Sequence, residues 1–281
     1  MIHDAWAKRQ TFFPDTIAFV APNKTLSVTV TGDKCQLNCA HCNGYYLKGM
    51  KLLEHVLSKN KGNENSYLIS GGSDQDGKVP LVKKQAELVE LSRRGKLNLH
   101  TGLVTEEEAS CLSEFASVVS FDFIGDEKVI SKVYGMNATV SDYLAAYRNL
   151  IKYVPVIPHI CIGLDGGKIK SEYEVLSILQ HETVKAISMI IFRPTANTSF
   201  SHCSPPDIKE VARFIATARI MYPSTPLYLG CMRPGGRYRD QVDSYAVEAG
   251  VNKIVLPAPS ARKKAVDKGL SIEISEECCS F

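Results

Sequence analysis

Leu26-Ser27-Val28-Thr29-Val30, followed shortly by Cys35-Gln36-Leu37-Asn38-Cys39-Ala40-His41-Cys42, is the stretch that decides the fold of this chain. The first segment alternates apolar and polar residues, which is typical of a strand with one face on a hydrophobic core. The second segment places three cysteines on one short loop, with three and then two residues between them. Three thiolates at this spacing can bind three irons of a four-iron, four-sulfur cluster and leave the fourth iron open to another ligand.

A zinc site and disulfide bonds are the alternatives for these thiols. A structural zinc ion usually takes four protein ligands, commonly as two close pairs, and no second pair with two-residue spacing follows. Nine cysteines is an odd number, and Met1 is followed by a polar, charged stretch rather than by a signal peptide. We therefore expect a reduced, cytoplasmic protein whose cysteines bind a metal or carry out redox chemistry.

The composition argues against two classes of partner. The 33 basic and 30 acidic residues give a formal charge of +3, so no basic field for nucleic acid is present. No apolar run approaches the roughly 20 residues that are needed to cross a bilayer. A single barrel of roughly 250 residues would use nearly all of the chain, and we expect its substrate to be recognised locally.

Strand-like and helix-like segments alternate regularly along the chain. The eight predicted strands cover residues 26–30, 67–70, 97–103, 118–123, 157–164, 187–192, 227–231 and 253–256. Strands alternating with helices predict an α/β fold in a single domain, either a (β/α)8 barrel or a partly open TIM-type barrel. We expect residues 1–25 to form an N-terminal extension, residues 26–260 the barrel, and residues 261–281 a helix and a Cys-Cys tail that closes over it.

Local residue patterns mark three helix starts. Thr105 with Glu108, and Ser171 with Glu174, fit capping boxes, in which each side chain accepts a hydrogen bond from the other residue's backbone N–H group. Ser204-Pro205-Pro206 predicts that another helix starts shortly after it.

One face of several predicted strands is polar. In most such barrels the interior is filled with branched aliphatic side chains. If the apolar residues contact the helices here, the polar set lines the barrel and leaves a cavity. The alternative is that single members of the set are hydrogen-bonded core residues. The polar set comprises Ser27, Thr29, Thr31, Asn98, His100, Ser120, Asp122, His159, Cys161, Gly163 and Asp165.

The cysteine loop follows the first predicted strand, on the face where barrel enzymes place their active sites. At this point the chain resembles the radical S-adenosylmethionine superfamily. Ser70-Gly71-Gly72-Ser73-Asp74 is similar to the family's Gly-Gly-Glu turn, with Ser73 where an acidic residue is common. Gly163-Leu164-Asp165-Gly166-Gly167 resembles the family's adenine-contacting segment. Each glycine pair taken alone is more typical of a plain turn.

The resemblance implies a set of cofactors. Cys35, Cys39 and Cys42 would bind a [4Fe-4S] cluster, and S-adenosyl-L-methionine on its open iron would be the source of a 5′-deoxyadenosyl radical. The residues implied to contact the cofactor are Ser70, Gly71, Gly72, Gly163 and Asp165, with Asp122 at the ribose or the substrate.

Two arginines at predicted strand ends are candidates for the methionine carboxylate or for an auxiliary cluster. Arg193 and Arg233 qualify because a guanidinium can bind a carboxylate through two hydrogen bonds. The alternative for both is a surface salt bridge.

Six further cysteines follow the loop, and three of them are candidate ligands of a second [4Fe-4S] cluster. Cys231 comes after the seventh predicted strand, and Cys278 and Cys279 lie close to the end of the chain. A tail that folds over the barrel mouth would bring them together, with Cys203 or Ser280 completing the ligand set. The alternative is that these thiols are buried or idle, because free cysteine is commonly a small core residue.

The overall run of the chain most resembles the biotin and lipoyl synthase branch, in which an auxiliary cluster is the source of sulfur. The similarity is greatest to the split, two-subunit lipoyl synthases of archaea and some bacteria. It rests on residues 27–32, 35–47, 158–164 and 229–234 and on the Cys278-Cys279 ending. The N-terminal three-cysteine motif and the C-terminal Arg-Ser-Ser-Tyr of the single-chain lipoyl synthases are absent.

This resemblance implies an enzyme that inserts sulfur at carbons six and eight of a protein-bound octanoyl group. The implied partners are a second radical subunit, an octanoylated carrier protein of the lipoyl-domain or H-protein type, and an electron donor such as ferredoxin. Two other functions stay open. One is a biotin synthase-like radical enzyme that rearranges or fragments its substrate without sulfur insertion. The other is a non-catalytic iron–sulfur protein in electron transfer.

Overall fold

Eleven strands and ten α-helices follow one another along the chain, and the computed structural model describes all residues, 1–281. The strands are β1 Thr16–Val20, β2 Thr25–Thr29, β3 Lys51–Leu52, β4 Ser66–Ser70, β5 Lys96–Leu99, β6 Val118–Asp122, β7 Val156–Ile162, β8 Ile187–Ile191, β9 Leu227–Leu229, β10 Lys253–Val255 and β11 Ser271–Ser275. The helices are α1 Ile2–Phe12, α2 Leu53–Leu57, α3 Gln85–Ser92, α4 Glu106–Leu112, α5 Glu127–Val129, α6 Val140–Ile151, α7 Ser171–Leu179, α8 Ile208–Met221, α9 Gly236–Glu248 and α10 Pro259–Asp267. None of these helices combines the length and the apolar character needed to cross a membrane.

All strands belong to one parallel sheet, in the order β11-β1-β10-β9-β8-β7-β6-β5-β4-β2-β3. The edge strands β11 and β3 do not pair with each other, so the sheet curls into a partly open barrel. The predicted α/β class with a partly open TIM-type barrel is therefore confirmed. All eight predicted strands are present, and β1, β3 and β11 come in addition.

The two additional strands near the ends of the chain widen the sheet on one side. β1 pairs in parallel with β10 on one edge and with β11 on the other. Residues 1–25 thus contain a helix and a strand of the sheet, and residues 261–281 contain the end of α10, the edge strand β11 and the tail.

The two faces of the barrel strands pack against different partners. Phe121 on β6 lies in the main core, where its ring centroid is 6.0 Å from that of Tyr147 on α6. Its neighbour Ser120 points into the barrel, where it donates a hydrogen bond to Asn98 Oδ1 at 2.9 Å. Asp122 is exposed at the top of the same strand.

One predicted capping box is present and the other is not. Thr105 Oγ1 accepts a hydrogen bond from the N–H of Glu108 at 3.2 Å, and Glu108 Oε2 accepts one from Thr105 at 2.8 Å. The box of Ser171 with Glu174 is wrong, because α7 begins at Ser171 without a side-chain cap. At that end of the helix it is Glu172 that binds backbone N–H groups.

The last predicted helix start lies where expected, and Asp207 caps it. Helix α8 begins at Ile208, after Ser204-Pro205-Pro206. Asp207 Oδ1 accepts hydrogen bonds from the N–H groups of Lys209 at 2.9 Å and of Glu210 at 3.1 Å. Asp207 is therefore the N-cap.

The last six residues enter the barrel from its floor, the end where the strands begin. The N–H of Cys278 donates to Thr25 Oγ1 at the start of β2, at 2.8 Å. Phe281 packs against Val118 and Ile157 near the starts of β6 and β7. Lys253 at the start of β10 donates to the carbonyls of Cys279 and Phe281, at 2.8 and 2.7 Å. The tail thus lies at the opposite end from the cysteine loop, rather than folding over the mouth as the sequence led us to expect.

Candidate functional site

The cysteine loop packs directly on the turn that follows β4. The N–H of Gln36 donates to Ser73 O at 2.9 Å, and the N–H of Gly72 donates to Thr31 Oγ1 at 2.7 Å. A Cβ atom added to Gly72 would lie 1.9 Å from the carbonyl oxygen of Lys34, so only glycine fits at this position. A cleft of about 660 Å³ opens between the loop and the turn and is lined in part by Cys35, Gly72 and Ser73. The structure therefore brings the first cysteine and the Gly71-Gly72 turn together.

The three thiols of the loop share a water-poor environment. Cys39 is buried, Cys35 and Cys42 are half-buried, and none of them forms a disulfide. Burial, reinforced by the neighbouring charges of Cys42 and Cys35, raises the pKa of Cys39 to about 12. Burial also raises the pKa of Cys42. Three sulfur donors this close together fit an iron–sulfur cluster as a donor set, since a bound cation favours the thiolate form.

His41 stands between the second and third cysteine of the loop. Burial lowers its pKa to about 4, so its imidazole is neutral near pH 7. Its ring packs edge-on against Tyr134 at 5.4 Å between centroids, and its Nδ1 atom is buried without a hydrogen-bond partner. An unpaired buried ring nitrogen at this place is available to a bound ligand. Tyr134 was not among the predicted site residues, because the π-helix Ile130–Tyr134 that presents it has no signature in the sequence.

A buried carboxylate holds the turn after β7. Glu172 Oε1 accepts hydrogen bonds from the N–H groups of Gly163 at 2.7 Å and of Leu164 at 3.1 Å. Burial raises the pKa of Glu172, while these backbone donors act in the opposite direction. Asp165 projects from the same turn and pairs with Lys132 at 2.5 Å. Cys203 lies against Gly166 of the same turn.

Asp122 occupies a central position in the upper interior. Burial lowers the pKa values of His41, His100 and His159, and the negative charge of Asp122 acts against this effect in each case. Asp122 therefore lies near all three imidazoles. The rings of His100 and His159 are 5.9 Å apart between centroids, and His159 Nδ1 lies 3.0 Å from its hydrogen-bond partner Ile157 O. Of the polar set predicted to line the barrel, Asn98, Ser120 and His159 are buried and hydrogen-bonded within the chain, as polar core residues are. The cavity between them stays a prediction.

Cys278 and Cys279 lie at the floor of the barrel, near the buried side chains of Asn98 and Ser120. Asn98 Nδ2 donates to Cys278 Sγ at 3.3 Å. A hydrogen bond with Cys279, helped by the backbone of Ser280, lowers the pKa of Cys278 despite its burial. Cys231 is exposed after β9, and no hydrogen bond joins it to Cys278 or Cys279. Ser280 Oγ also lies inside the barrel, 4.0 Å from Cys279 Sγ.

Neither set of thiols is arranged around a single metal ion. No three His, Cys, Asp or Glu side chains in residues 1–281 converge on one ion position. Cys203 packs on the turn after β7, and no hydrogen bond links it to Cys231, Cys278 or Cys279.

The two candidate arginines have opposite surroundings. Arg233 is fully buried and binds both carboxylate oxygens of Asp243, at 2.7 and 2.8 Å. It is therefore a structural residue and cannot reach a cofactor carboxylate. Arg193 is half-buried beside the cysteine loop, with its guanidinium 5.9 Å from the ring centroid of Tyr46. Tyr46 is held in turn by a 2.9 Å hydrogen bond with Thr195.

Comparison with solved structures finds proteins with a similar fold. No protein-family model matches the sequence, and no curated protein matches it. The [FeFe]-hydrogenase maturase HydG from Carboxydothermus hydrogenoformans superimposes with a TM-score of 0.69 at 15% identity, over 96% of this chain and 71% of that one. Methylornithine synthase PylB gives a TM-score of 0.64 at 12% identity, over 97% of this chain and 88% of that one. Streptococcus suis SuiB, solved with bound S-adenosylmethionine, gives a TM-score of 0.53 at 15% identity, over 91% of this chain and 61% of that one. The chain therefore shares the fold of these three proteins, one of which was solved with S-adenosylmethionine bound.

Proposed function

We propose that this protein is a radical S-adenosylmethionine enzyme whose [4Fe-4S] cluster is bound by Cys35, Cys39 and Cys42. The observation that carries the proposal is the contact between the cysteine loop and the Gly71-Gly72 turn. Both segments stand at the ends of neighbouring strands, β2 and β4, on the face where barrel enzymes carry out their chemistry. Half-buried thiols beside a glycine turn are suited to hold a cluster and to let a ligand approach the backbone.

The chain's own residues have distinct tasks in this site. The backbone of Ser70, Gly71 and Gly72 binds the methionine end of the cofactor, and the turn with Gly163 and Asp165 binds the adenosine end. Asp122 orients the ribose or the substrate from the top of β6. The packing of the cluster loop against residues 192–207, through the hydrogen bond from the N–H of Phe200 to Ala40 O at 2.9 Å, excludes water from the cysteines. When bound, the cluster and S-adenosylmethionine supply a 5′-deoxyadenosyl radical that abstracts hydrogen from a carbon.

We further propose that the reaction is sulfur insertion by one component of a two-subunit lipoyl synthase. The support is the Cys278-Cys279 pair, which the tail carries into the barrel interior beside Asn98, and Cys231, exposed after β9, is the third candidate. They are the candidate ligands of an auxiliary [4Fe-4S] cluster, with Ser280 nearby. In each insertion, one electron from the donor would cleave S-adenosylmethionine to methionine and the 5′-deoxyadenosyl radical, which would remove one hydrogen atom from the octanoyl chain as 5′-deoxyadenosine. A sulfide of the auxiliary cluster held by these thiols would then form the C–S bond with the carbon radical, and one electron would pass to the cluster irons. The partners in this proposal are a second radical subunit, an octanoylated carrier protein, and a ferredoxin-type electron donor.

The test counts clusters and products together. Iron, sulfide and electron paramagnetic resonance are measured anaerobically on the wild type, on a variant with Cys35, Cys39 and Cys42 replaced by alanine, and on one with Cys231, Cys278 and Cys279 replaced. The expected iron contents are about eight, about four and about four per chain, on the basis of four irons per cluster. Cys111→Ala on the outer helix α4 is the control and keeps the wild-type value.

The product assay separates the two parts of the proposal. Both triple variants are expected to lose sulfur insertion into an octanoyl-lysyl peptide, whereas only the Cys35, Cys39 and Cys42 variant loses 5′-deoxyadenosine. Four irons in the wild type with 5′-deoxyadenosine formed would refute the auxiliary cluster and favour a biotin synthase-like enzyme without sulfur insertion. No 5′-deoxyadenosine in the reduced wild type would refute the enzyme itself and favour an electron-transfer protein.

A further inference from the structure

Exposed apolar side chains gather beside the cysteine loop. Leu52 on β3 is 50% exposed, and Tyr45 and Val82 are 42% and 36% exposed. A single exposed apolar residue is common on protein surfaces, whereas a group of them within a polar rim marks a contact surface. These three residues come from separate segments of the chain, so their grouping is a property of the fold.

Two contacts join the segments of Val82 and Leu52 to the cysteine loop. The Lys84 ammonium lies 2.7 Å from Glu54 Oε1, which links the turn that carries Val82 to the start of α2, directly after Leu52. A Cβ atom added to Gly32 would lie 3.4 Å from Leu52 Cδ2. Leu52 therefore packs where the cysteine loop begins.

The same surface reaches the first cysteine of the loop. Val82 and Cys35 both line the cleft of about 660 Å³ that opens beside the loop. At the other end, a Cβ atom added to Gly44 would lie 3.7 Å from Asp33 O, so the following residue, Tyr45, stands next to the loop as well. A partner seated on this surface would lie directly beside Cys35.

The rim of this surface is positively charged. Of the neighbouring carboxylates, Glu54 is paired with Lys84, and Asp74 accepts hydrogen bonds from backbone N–H groups of its own turn. Asp33 is exposed and forms no salt bridge. It stands against a set of exposed lysines that also form no salt bridge, namely Lys34, Lys48, Lys51 and Lys83.

We propose that this surface, made of Tyr45, Leu52, Val82 and the four free lysines, docks a small acidic electron-carrier protein that reduces the cluster. An apolar centre within a charged rim is the usual anatomy of a protein interface. The lysines complement an acidic partner and accelerate its encounter with the protein. In each encounter the carrier is oxidised by one electron and the cluster is reduced by one. The inference rests on the proposed cluster and assigns the face that its electron donor uses.

Reduction of the cluster by an acidic, plant-type [2Fe-2S] ferredoxin tests the surface. Reduced ferredoxin is mixed with the cluster-containing protein in a stopped-flow spectrometer, and the second-order rate constant is measured at low and at high salt. We expect the double variant Lys51→Glu with Lys83→Glu to slow the reduction by about tenfold at low salt. The difference is expected to shrink at high salt, because ions screen exposed charges.

A double variant on the opposite wall of the barrel is the matched control. Lys8 on α1 and Lys185 before β8 are also exposed and form no salt bridge, and α1 packs on α8. Lys8→Glu with Lys185→Glu changes the net charge by the same amount and is expected to leave the rate as in the wild type. Lys34 stays unchanged, because a substitution next to Cys35 would confuse lost docking with a lost cluster.

Iron content and the extent of reduction by dithionite are measured on every variant and are expected to equal those of the wild type. The proposal is overturned by a wild type that ferredoxin does not reduce, by a rate that does not depend on salt, or by equal losses in the two double variants. It is also overturned if ferredoxin reduces the Lys51→Glu, Lys83→Glu variant normally while sulfur insertion with dithionite is lost, because the surface would then dock the octanoylated carrier protein.

Failure of the proposed function gives a different result. A dithionite-reduced wild type that forms no 5′-deoxyadenosine would refute the enzyme, while the ferredoxin rates would still decide whether this surface docks the carrier. Conversely, a failed docking surface leaves 5′-deoxyadenosine formation with dithionite intact.

Discussion

Arg233 has a structural role because its guanidinium is paired with the carboxylate of Asp243. Both side chains are fully buried, and the pair is completed by hydrogen bonds from Arg233 to Gly230 O at 2.6 Å and from Ala258 N to Asp243 at 2.8 Å. The pair therefore ties the loop after β9 to helix α9 and to the segment before α10. Every strong donor and acceptor in it is satisfied within the chain, which leaves none for a ligand.

Arg233→Ala is expected to destabilise the protein by about 3–5 kcal/mol, because it leaves the carboxylate of Asp243 buried without its counter-ion. The free energy of unfolding is measured by urea denaturation, with Arg237→Ala on the exposed side of α9 as the control. The double replacement Arg233→Met with Asp243→Leu is expected to recover much of the loss, since no lone charge remains. A loss for Arg233→Ala equal to that of the control would contradict this assignment.

Single residues of the site differ in how far the sequence predicts them. The three cysteines and the glycine turn are recognisable because their function depends on spacing within a few residues. The role of Arg233 could not be predicted, because its partner Asp243 lies on helix α9 and no local pattern indicates that the two residues pair. His41 and Tyr134 meet only after the π-helix has formed, so their contact could not be predicted.

Four helices, α4, α5, α6 and α8, begin where a side chain binds their first N–H groups. Helix α8 has such a residue in Asp207, which accepts two backbone hydrogen bonds and lies at the positive end of the dipole. Ser204, in the predicted start signal, makes no side-chain hydrogen bond and is not the cap. Helix α8 packs on α1 and α9, so its start also fixes the segment that covers the cluster loop.

Asp207→Ala is expected to lower the free energy of unfolding by about 1 kcal/mol, the typical contribution of an N-cap. Thermal or urea unfolding gives the value, and Ser204→Ala, four residues from the start of α8, is the matched control with no expected change. Asp207→Asn keeps the acceptor oxygen and is expected to retain most of the stability. If Ser204→Ala proved the more costly of the two alanine variants, the assignment of Asp207 as the cap would be wrong.

The barrel strands were predictable because their apolar faces alternate with polar ones over several residues. The additional strands lack this signal for different reasons. β3 has only two residues, and β11 is an edge strand whose Ile274 stays exposed, so neither shows a one-sided burial pattern. β1 is apolar enough to be a strand, but its place between β10 and β11 depends on pairing with residues more than two hundred positions away.

The molecule as a whole is a barrel with a floor and an open top. The last six residues form the floor, where the Lys253 ammonium lies 4.3 Å from the ring centroid of Tyr228 and donates to two tail carbonyls. The same segment carries Cys278 and Cys279 into the interior. The contacts that close the floor therefore also position these two thiols. The sequence predicts that the tail meets the barrel, but the end at which it enters depends on contacts of Thr25, Lys96 and Lys253 that lie far apart in the chain.

Deletion of residues 276–281 separates these two roles when it is compared with Cys278→Ser together with Cys279→Ser. The deletion removes the burial of Phe281 and leaves the half-buried Lys253 ammonium without its acceptors, so we expect a loss of about 3 kcal/mol in the free energy of unfolding. The serine variant keeps those contacts and is expected to unfold like the wild type, while it loses the same auxiliary iron as the deletion.

Lys253→Met in the shortened chain is expected to recover part of the stability, because burial already lowers the pKa of that lysine and no unpaired charge would remain. Urea denaturation and iron analysis on the same preparations distinguish the outcomes. A shortened chain as stable as the wild type would show that the floor is not held by the tail, and a serine variant with full iron would show that its thiols serve only to fill the floor.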